Sequence, residues 1–221
     1  HVFLTLVGVM CGLYLAFELR KESYALFFVA IPVVLWFYST HFKKQMLIGN
    51  LVVALMMALT TFIVASAEIA AIVAQGNREI VNSTACNQIW TYTAVLAFFA
   101  FITNLSREII KDMEDVDGDA QCKCRTLPIE MGIRNSKVIV IFLELFMLFV
   151  LWLVYFKSST LMQVPYLWCY CLLFVTMPTM YICIMISKAS TIKDYHSASM
   201  LSKIIMATGA FAMVYCQLVT A

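Results

Sequence analysis

The chain has 221 residues, of which 63% are hydrophobic and 13% are charged, and its formal net charge at pH 7 is +2. A soluble domain carries roughly 25% charged residues, so this chain has too few polar side chains to cover a core in water, and its apolar surplus has to face lipid. The small net charge, without a basic run interleaved with aromatic residues, argues against a nucleic-acid partner.

Seven apolar segments follow one another along the chain. Each is long enough, or nearly so, to cross about 30 Å of hydrocarbon as a helix, which is the form that satisfies backbone hydrogen bonds in lipid. They cover approximately residues 2–17, 24–40, 46–74, 90–110, 138–156, 164–187 and 199–219. Pro178 has no backbone N–H and is expected to kink the sixth segment. The sequence therefore predicts an all-α, polytopic transmembrane bundle with seven spans.

The loops between these segments alternate between the two sides of the membrane, and basic residues are divided unequally between them. One side holds four, namely Arg20, Lys21, Arg78 and Lys157. The other side holds eleven, namely Lys43, Lys44, Arg107, Lys111, Lys123, Arg125, Arg134, Lys137, Lys188, Lys193 and Lys203. Because cytoplasmic loops carry an excess of Lys and Arg, the second side is predicted to be cytoplasmic.

An acidic cluster follows the fourth segment on this side. Six of the thirteen carboxylates lie within twelve residues, namely Glu108, Asp112, Glu114, Asp115, Asp117 and Asp119. If the fourth helix continues through this stretch, a sector of about 80° carries Asn104, Glu108, Asp112, Asp115 and Asp119. Arg107 and Lys111 flank that sector, whereas Ile109, Met113 and Val116 point away from it.

Carboxylates on one helix face repel one another unless a cation binds them. Oxygen ligands without His or Cys favour Mg²⁺ or Ca²⁺ over zinc. Mg²⁺ usually takes one or two protein carboxylates and completes its shell with water and substrate phosphate oxygens, which nearby basic side chains can also contact. The cluster therefore predicts a metal-bridged diphosphate site at the membrane surface. The alternative interpretation is a solvated, charged loop between two spans.

Residues 107–132, REIIKDMEDVDGDAQCKCRTLPIEMG, resemble the second aspartate-rich motif of the UbiA superfamily of intramembrane prenyltransferases. That motif has aspartates at the spacing of Asp112, Asp115 and Asp119, followed by a basic residue and Thr-Leu-Pro. Other stretches similar to the family are Tyr38-Ser39 with Lys43-Lys44, Gly49-Asn50-Leu51, and Ser202-Lys203 with Met206 and Gly209 in the last segment.

The resemblance implies nine transmembrane helices and two aspartate-rich motifs on the cytoplasmic face of the cell inner membrane. It also implies that each motif binds Mg²⁺, that the two metals hold a polyprenyl diphosphate, and that the allylic diphosphate ionises before the acceptor attacks. The metal ligands and catalytic residues that it implies are Asp112, Asp115 and Asp119. The implied diphosphate-binding residues are Lys43, Lys44, Arg107, Lys111, Lys123 and Arg125, and the implied pocket residues are Tyr38, Asn50, Asn104 and Glu108.

One part of the family pattern is absent from the sequence. The first motif, expected as N-x-x-x-D-x-x-x-D between the second and third family helices, is not found, and seven spans are counted where nine are expected. We therefore expect residues 1–221 to form a single transmembrane prenyltransferase domain from which the first two helices and the first motif are missing.

The acceptor is the least determined part of this interpretation. The aspartate motif most resembles the branch that prenylates geranylgeranylglyceryl phosphate, and prenylation of an aromatic acceptor in quinone, tocopherol or haem-type pathways is the alternative. Two non-enzymatic alternatives are a cation transporter and an inactive fragment. A transporter predicts charges in the middle of several spans, but only Glu68 and Glu144 come near this, and the acidic cluster lies at a membrane surface.

Overall fold

The structure, a computed structural model, describes residues 2–19, 22–42, 45–76, 79, 81 and 83–220. Within those residues all regular elements are helical. The long helices are α1 (Val2–Glu18), α2 (Glu22–Thr40), α3 (Ile48–Ala74), α4 (Thr84–Glu114), α7 (Ile133–Lys157), α10 (Met177–Lys188) and α11 (Ile192–Thr220). The short ones are α5 (Val116–Gln121), α6 (Leu127–Met131), α8 (Ser159–Gln163) and α9 (Leu167–Cys171), and a π-helical turn, Leu172–Thr176, joins α9 to α10.

The predicted all-α polytopic fold is confirmed. Six stretches of the described residues are long and apolar enough to cross a membrane, namely Glu22–Thr40, Ile48–Ala74, Thr84–Glu114, Ile133–Lys157, Leu167–Lys188 and Ile192–Cys216. The first predicted segment forms α1, which is apolar but only 17 residues long and therefore shorter than these six.

Polar side chains fix the beginnings of two long helices. Ser83 caps α4, because its hydroxyl accepts a hydrogen bond from the backbone N–H of Cys86 at 3.2 Å. At α11 a reciprocal pair forms, in which the carboxylate of Asp194 accepts from the backbone N–H of Thr191 at 2.9 Å and the Thr191 hydroxyl accepts from the N–H of Asp194 at 3.4 Å. Such caps satisfy N–H groups that have no partner within the helix.

Helix α4 lies at the centre of the bundle and packs against α3, α7 and α11. Its side chains Ile109, Ile110 and Met113 are almost fully buried in the main apolar cluster. Ile109 and Met113 are predicted to point away from the acidic sector, and their burial agrees with that helical phase. The face of α4 that carries the carboxylates therefore remains available for a site.

Small residues set how closely the helices approach. Ala54 and Ala58 are buried on α3, the helix that packs most extensively against α4. On α11, a Cβ atom at Gly209 would lie 2.3 Å from the ring of Phe99 on α4, so only glycine fits there without a shift of the ring. Between membrane helices, where lipid is as apolar as the side chains, such close packing is a main source of association.

The helix irregularity that the sequence predicts around Pro178 is present. The π-helical turn ends just before this proline, which cannot donate to the carbonyl of Phe174 four residues earlier. That carbonyl instead accepts a hydrogen bond from the hydroxyl of Thr208 on α11, at 2.9 Å. A neighbouring helix thus satisfies the acceptor that the proline leaves without its usual donor.

Candidate functional site

The site is organised by one hydrogen bond between two antiparallel helices. Asn50 lies in the first turn of α3 and Asp112 in the last turn of α4, so packing of these helices brings the two side chains together. Asn50 Nδ2 donates to Asp112 Oδ2 at 2.7 Å in a partly buried position. The predicted pocket residue Asn50 and the predicted metal ligand Asp112 are therefore in direct contact.

Further charged groups surround Asp112. The carboxylates of Asp119 and Glu108 and the ammonium group of Lys111 are close enough to interact with it electrostatically. The hydroxyl of Tyr38, near the end of α2, interacts in the same way with Glu108 and Asp112. Three distant parts of the sequence, in α2, α3 and the α4–α5 region, thus meet at one end of the bundle.

The helix is interrupted where the sequence analysis assumes that it continues. Helix α4 ends at Glu114, Asp115 adopts φ −98° and ψ 9°, and α5 begins at Val116. Aspartate is a poor helix former, and adjacent carboxylates repel one another, which accounts for the break at Asp115, next to Glu114 and close to Asp117. Backbone bonds from Asp115 to Lys111 and from Asp119 to Asp115, both 2.9 Å, nevertheless keep the chain on a nearly helical path.

The consequence of this break differs among the three aspartates. Asp119 remains half-buried and interacts with Asp112, whereas Asp115 is exposed at the bend. Asp112 and Asp119 are therefore the two predicted ligands that the structure brings together. The predicted role of Asp115 as a third ligand stays a prediction.

Glu108 organises the basic residues on the same face. Its two carboxylate oxygens contact Arg107 Nη1 at 2.7 Å and Lys111 Nζ at 3.7 Å. The Nε atom of Arg107 is buried and has no hydrogen-bond partner among the described residues. A buried guanidinium donor without an acceptor costs free energy, and an anionic ligand at this position would satisfy it.

The remaining predicted residues lie in varied environments. Arg125 is largely exposed, and its Nε contacts Glu130 Oε1 at 2.5 Å, a hydrogen bond that lowers the pKa of the Glu130 carboxyl. Lys123 is exposed and has φ 54°, and Asn104 is buried with its Nδ2 donating to the carbonyl of Ala100 at 2.9 Å. Arg125 is thus already paired with Glu130. Lys43 and Lys44 lie outside the described residues.

The side chains around Asp112 fit an oxygen-ligated divalent cation. Among the residues that the structure describes, no three His, Cys, Asp or Glu side chains form a ready-made metal cage. Mg²⁺ does not require one, because it usually takes one or two carboxylates and otherwise binds water and phosphate oxygens. The pair Asp112 and Asp119 provides the right ligand type, and a cation between them would relieve their mutual repulsion.

Two polar features near the site were not assigned by the sequence analysis. Thr126, the first residue of the Thr-Leu-Pro stretch, is buried at the start of α6, and its hydroxyl has no hydrogen-bond partner among the described residues. On the other side of α4, Ser106 Oγ donates to Glu144 Oε1 of α7 at 2.6 Å, and both residues are almost fully buried. The sequence signal that could have identified Glu144 is a single carboxylate within an apolar segment.

A cavity of about 670 Å³ opens between α3, α4 and α11. Its lining is largely apolar, with Thr61 and Glu68 of α3 among the polar exceptions. At about 1.5 Å rise per residue, Thr61 lies roughly 16 Å and Glu68 roughly 27 Å along α3 from Asn50, and both fall on the same helix face as Asn50. The cavity therefore extends from the middle of the bundle towards the end opposite Asp112.

Comparison with known proteins gives a consistent result. The UbiA prenyltransferase family matches residues 1–204. The chain is similar to proteins named digeranylgeranylglyceryl phosphate synthase from Methanosphaera stadtmanae (26% identity over 144 residues, 65% of this chain and 46% of the relative) and Thermococcus sibiricus (33% over 129 residues, 58% and 39%). A third, from Pyrococcus abyssi, is 32% identical over 138 residues, 62% of this chain and 43% of the relative. The matched stretch spans less than half the length of each, and no solved structure matches the chain significantly.

Proposed function

The chain belongs to the UbiA prenyltransferase family, and from this premise we propose that it carries out Mg²⁺-dependent transfer of a prenyl group from a polyprenyl diphosphate to a lipid acceptor such as geranylgeranylglyceryl phosphate. The observation that supports this most strongly is the contact of Asn50 with Asp112. On the same helix, the buried Nε of Arg107 has no hydrogen-bond partner among the described residues. The names of the similar proteins support a phosphorylated glycerol lipid as the acceptor.

In this proposal Asp112 and Asp119 hold Mg²⁺, and Asp115 contributes from the bend. When bound, Mg²⁺ supplies Lewis-acid stabilisation of the negative charge that develops on the diphosphate leaving group. The Asn50 amide holds one Asp112 oxygen by its hydrogen bond, which orients the carboxylate before substrate arrives. Preorganised ligands of this kind lower the reorganisation needed during the reaction.

The basic residues of α4 bind the diphosphate. Arg107 Nε donates to a phosphate oxygen, while Glu108 holds the other side of the guanidinium through Nη1. Lys111, which is more loosely paired with Glu108 at 3.7 Å, can turn towards the same anion. Arg125 has a smaller part because Glu130 already binds it.

The cavity between α3, α4 and α11 accommodates the prenyl chain in this proposal. It begins about 16 Å along α3 from Asn50, estimated from helix rise, on the helix face that also carries Asn50. A long isoprenoid whose diphosphate is bound at Asp112 would lie along this face with its apolar tail in the cavity.

We propose that the site faces the cytoplasm and that the protein resides in the cell inner membrane. The support is the distribution of Lys and Arg, eleven of which lie on the side of the acidic cluster.

The experiment that tests the function incubates the full-length protein with labelled geranylgeranyl diphosphate and a panel of acceptors, with and without Mg²⁺. We expect Mg²⁺-dependent labelling of geranylgeranylglyceryl phosphate. Labelling of 4-hydroxybenzoate or another aromatic acceptor instead would overturn the lipid assignment.

A further inference from the structure

Helix α4 makes a second interhelical polar contact, on the side opposite the site. Ser106 Oγ donates to Glu144 Oε1 at 2.6 Å, and both side chains are at most 1% exposed. A helical serine can bond a carbonyl of its own preceding turn, but the only hydrogen bond that the structure describes for Ser106 Oγ runs to α7. No basic side chain among the described residues pairs with Glu144. Hydrogen bonding alone therefore accommodates this carboxyl group within a membrane span.

The two polar contacts of α4 point in different directions. Ser106 precedes Asp112 by six residues, which places it about 9 Å away along the helix and about 120° around it. Asp112 is bound by α3 through Asn50, and Ser106 is bound by α7 through Glu144. Together the two contacts allow only one rotation of α4 about its own axis.

The hydrophobic effect is a weak determinant of that rotation. Inside a bilayer, lipid is as apolar as a helix surface, so no hydrophobic force selects which face turns inward. A rotation of α4 would disturb its van der Waals packing and would also break a buried hydrogen bond whose members cannot find water. The same rotation would carry Arg107 and Glu108, which follow Ser106 in sequence, away from the site.

We propose that Glu144 is a positioning residue, which through Ser106 fixes the rotation of α4 and so places Asp112, Glu108 and Arg107 for metal and diphosphate binding. This inference rests on the proposed function for its catalytic consequence, but the rotation itself is a property of the fold. The second carboxyl oxygen of Glu144, Oε2, is buried and has no partner among the described residues. The same holds for the hydroxyl of Thr179 on α10. Ser106 therefore satisfies only one of the two carboxyl oxygens of Glu144.

Three variants separate positioning from general stability. Glu144→Leu removes the acceptor and puts an apolar side chain of similar size in the span, where the Ser106 hydroxyl can bond a carbonyl of its own preceding turn instead. Glu144→Gln keeps an acceptor oxygen, and Ser106→Ala removes the donor from the other side. We expect Glu144→Leu and Ser106→Ala each to lower kcat by at least about tenfold, since small misplacements of reacting groups are costly. The double variant should be no worse than either, and Glu144→Gln should stay within about threefold of wild type.

A second readout reports the rotation without reference to catalysis. The experiment uses a chain in which the loop cysteines Cys122 and Cys124 are replaced by serine. Met113 is buried on the inner face of α4, so a Met113→Cys thiol in this background should resist a membrane-impermeant maleimide. Adding Glu144→Leu should make this thiol reactive, and adding Glu144→Gln should not. If Glu144→Leu leaves the labelling unchanged, the inference is wrong. If labelling changes as expected but the parent shows no prenyl transfer, the proposed function fails and the inference stands.

Discussion

Asn50 Nδ2 and Asp112 Oδ2 lie 2.7 Å apart, joining residues that are 62 positions apart in the sequence. The bond connects the first turn of α3 to the last turn of α4 at the end of the bundle where the other carboxylates gather. A carboxylate has about four lone-pair positions, and one neutral donor uses only one of them. Asp112 is thus oriented by the protein and is still able to bind a cation.

The first prediction concerns this bond. Asn50→Leu removes the donor at nearly constant volume, and the Asp112 carboxylate then loses its fixed orientation. Hydrogen bonds to charged groups contribute about 1.5–3 kcal/mol, so we expect kcat/KM for the prenyl diphosphate to fall by on the order of tenfold to a hundredfold. Steady-state kinetics in detergent or nanodiscs measures this change. Asn135→Leu, at an exposed asparagine on α7, is the control, and equal losses in both variants would contradict the specific role of Asn50.

The second prediction ranks two arginines to which the family resemblance assigns the same role. Arg107→Lys removes the buried Nε–H, which in this account binds the diphosphate, and a lysine cannot reproduce the geometry of a guanidinium. Arg125→Lys changes an exposed side chain that pairs with Glu130. We expect KM for the prenyl diphosphate to rise at least about tenfold in the first variant and less than about twofold in the second. A larger effect at Arg125 would show that the diphosphate binds on the α5–α6 side instead.

The third prediction concerns the prenyl chain. Thr61→Phe fills part of the cavity. Among the described residues the Thr61 hydroxyl bonds only the carbonyl of Ala58 in its own helix, at 2.7 Å, so its loss should cost little stability. Turnover of the twenty-carbon donor should fall several-fold more than turnover of the ten-carbon donor, which does not reach the cavity. Val138→Phe, on an exposed face of α7, is the matched control. Equal losses for both donors would exclude this cavity as the tail site.

The fourth prediction tests the packing of α11 on α4. Any side chain at Gly209 meets the ring of Phe99, so Gly209→Leu should destabilise the bundle by about 1–3 kcal/mol, the usual cost of overpacking. A Cβ at Gly8 on α1 has nothing within 4 Å, so Gly8→Leu is the control. Thermal unfolding in detergent should show a lower midpoint for Gly209→Leu alone. Unchanged midpoints in both variants would mean that Phe99 moves aside without cost.

The long helices were predictable because length and apolarity are properties of a single segment. The six span-length helices coincide with six of the seven apolar segments, and the irregularity at Pro178 follows from its missing N–H. Contacts between helices were not predictable in the same way. Neither the Thr208 hydroxyl that satisfies Phe174 nor the contact of Gly209 with Phe99 has a periodic signal, because each depends on how α11 lies against its neighbours.

Many residues of the site could be predicted from the sequence, but the bonds between them could not. Helical phase brings Glu108, Asp112 and Asp119 to one face, and the structure agrees even though the helix breaks at Asp115. The pairing of Arg125 with Glu130 was not predicted because it depends on how the chain turns between two residues that are five positions apart. Glu144 was noticed only as a charge within a span, since its partner Ser106 lies 38 residues away.

The central claim is that Asp112 holds the metal on which prenyl transfer depends. It is tested most directly by measuring transfer of labelled geranylgeranyl diphosphate against Mg²⁺ concentration for the full-length wild type, Asp112→Asn and Asp117→Asn. Asparagine keeps the shape of Asp112 but removes its charge, so we expect turnover to fall at least about a hundredfold at all Mg²⁺ concentrations. Asp117→Asn, on the exposed side of α5, should follow the wild-type curve. Wild-type turnover by Asp112→Asn, with unchanged Mg²⁺ dependence, would contradict the account.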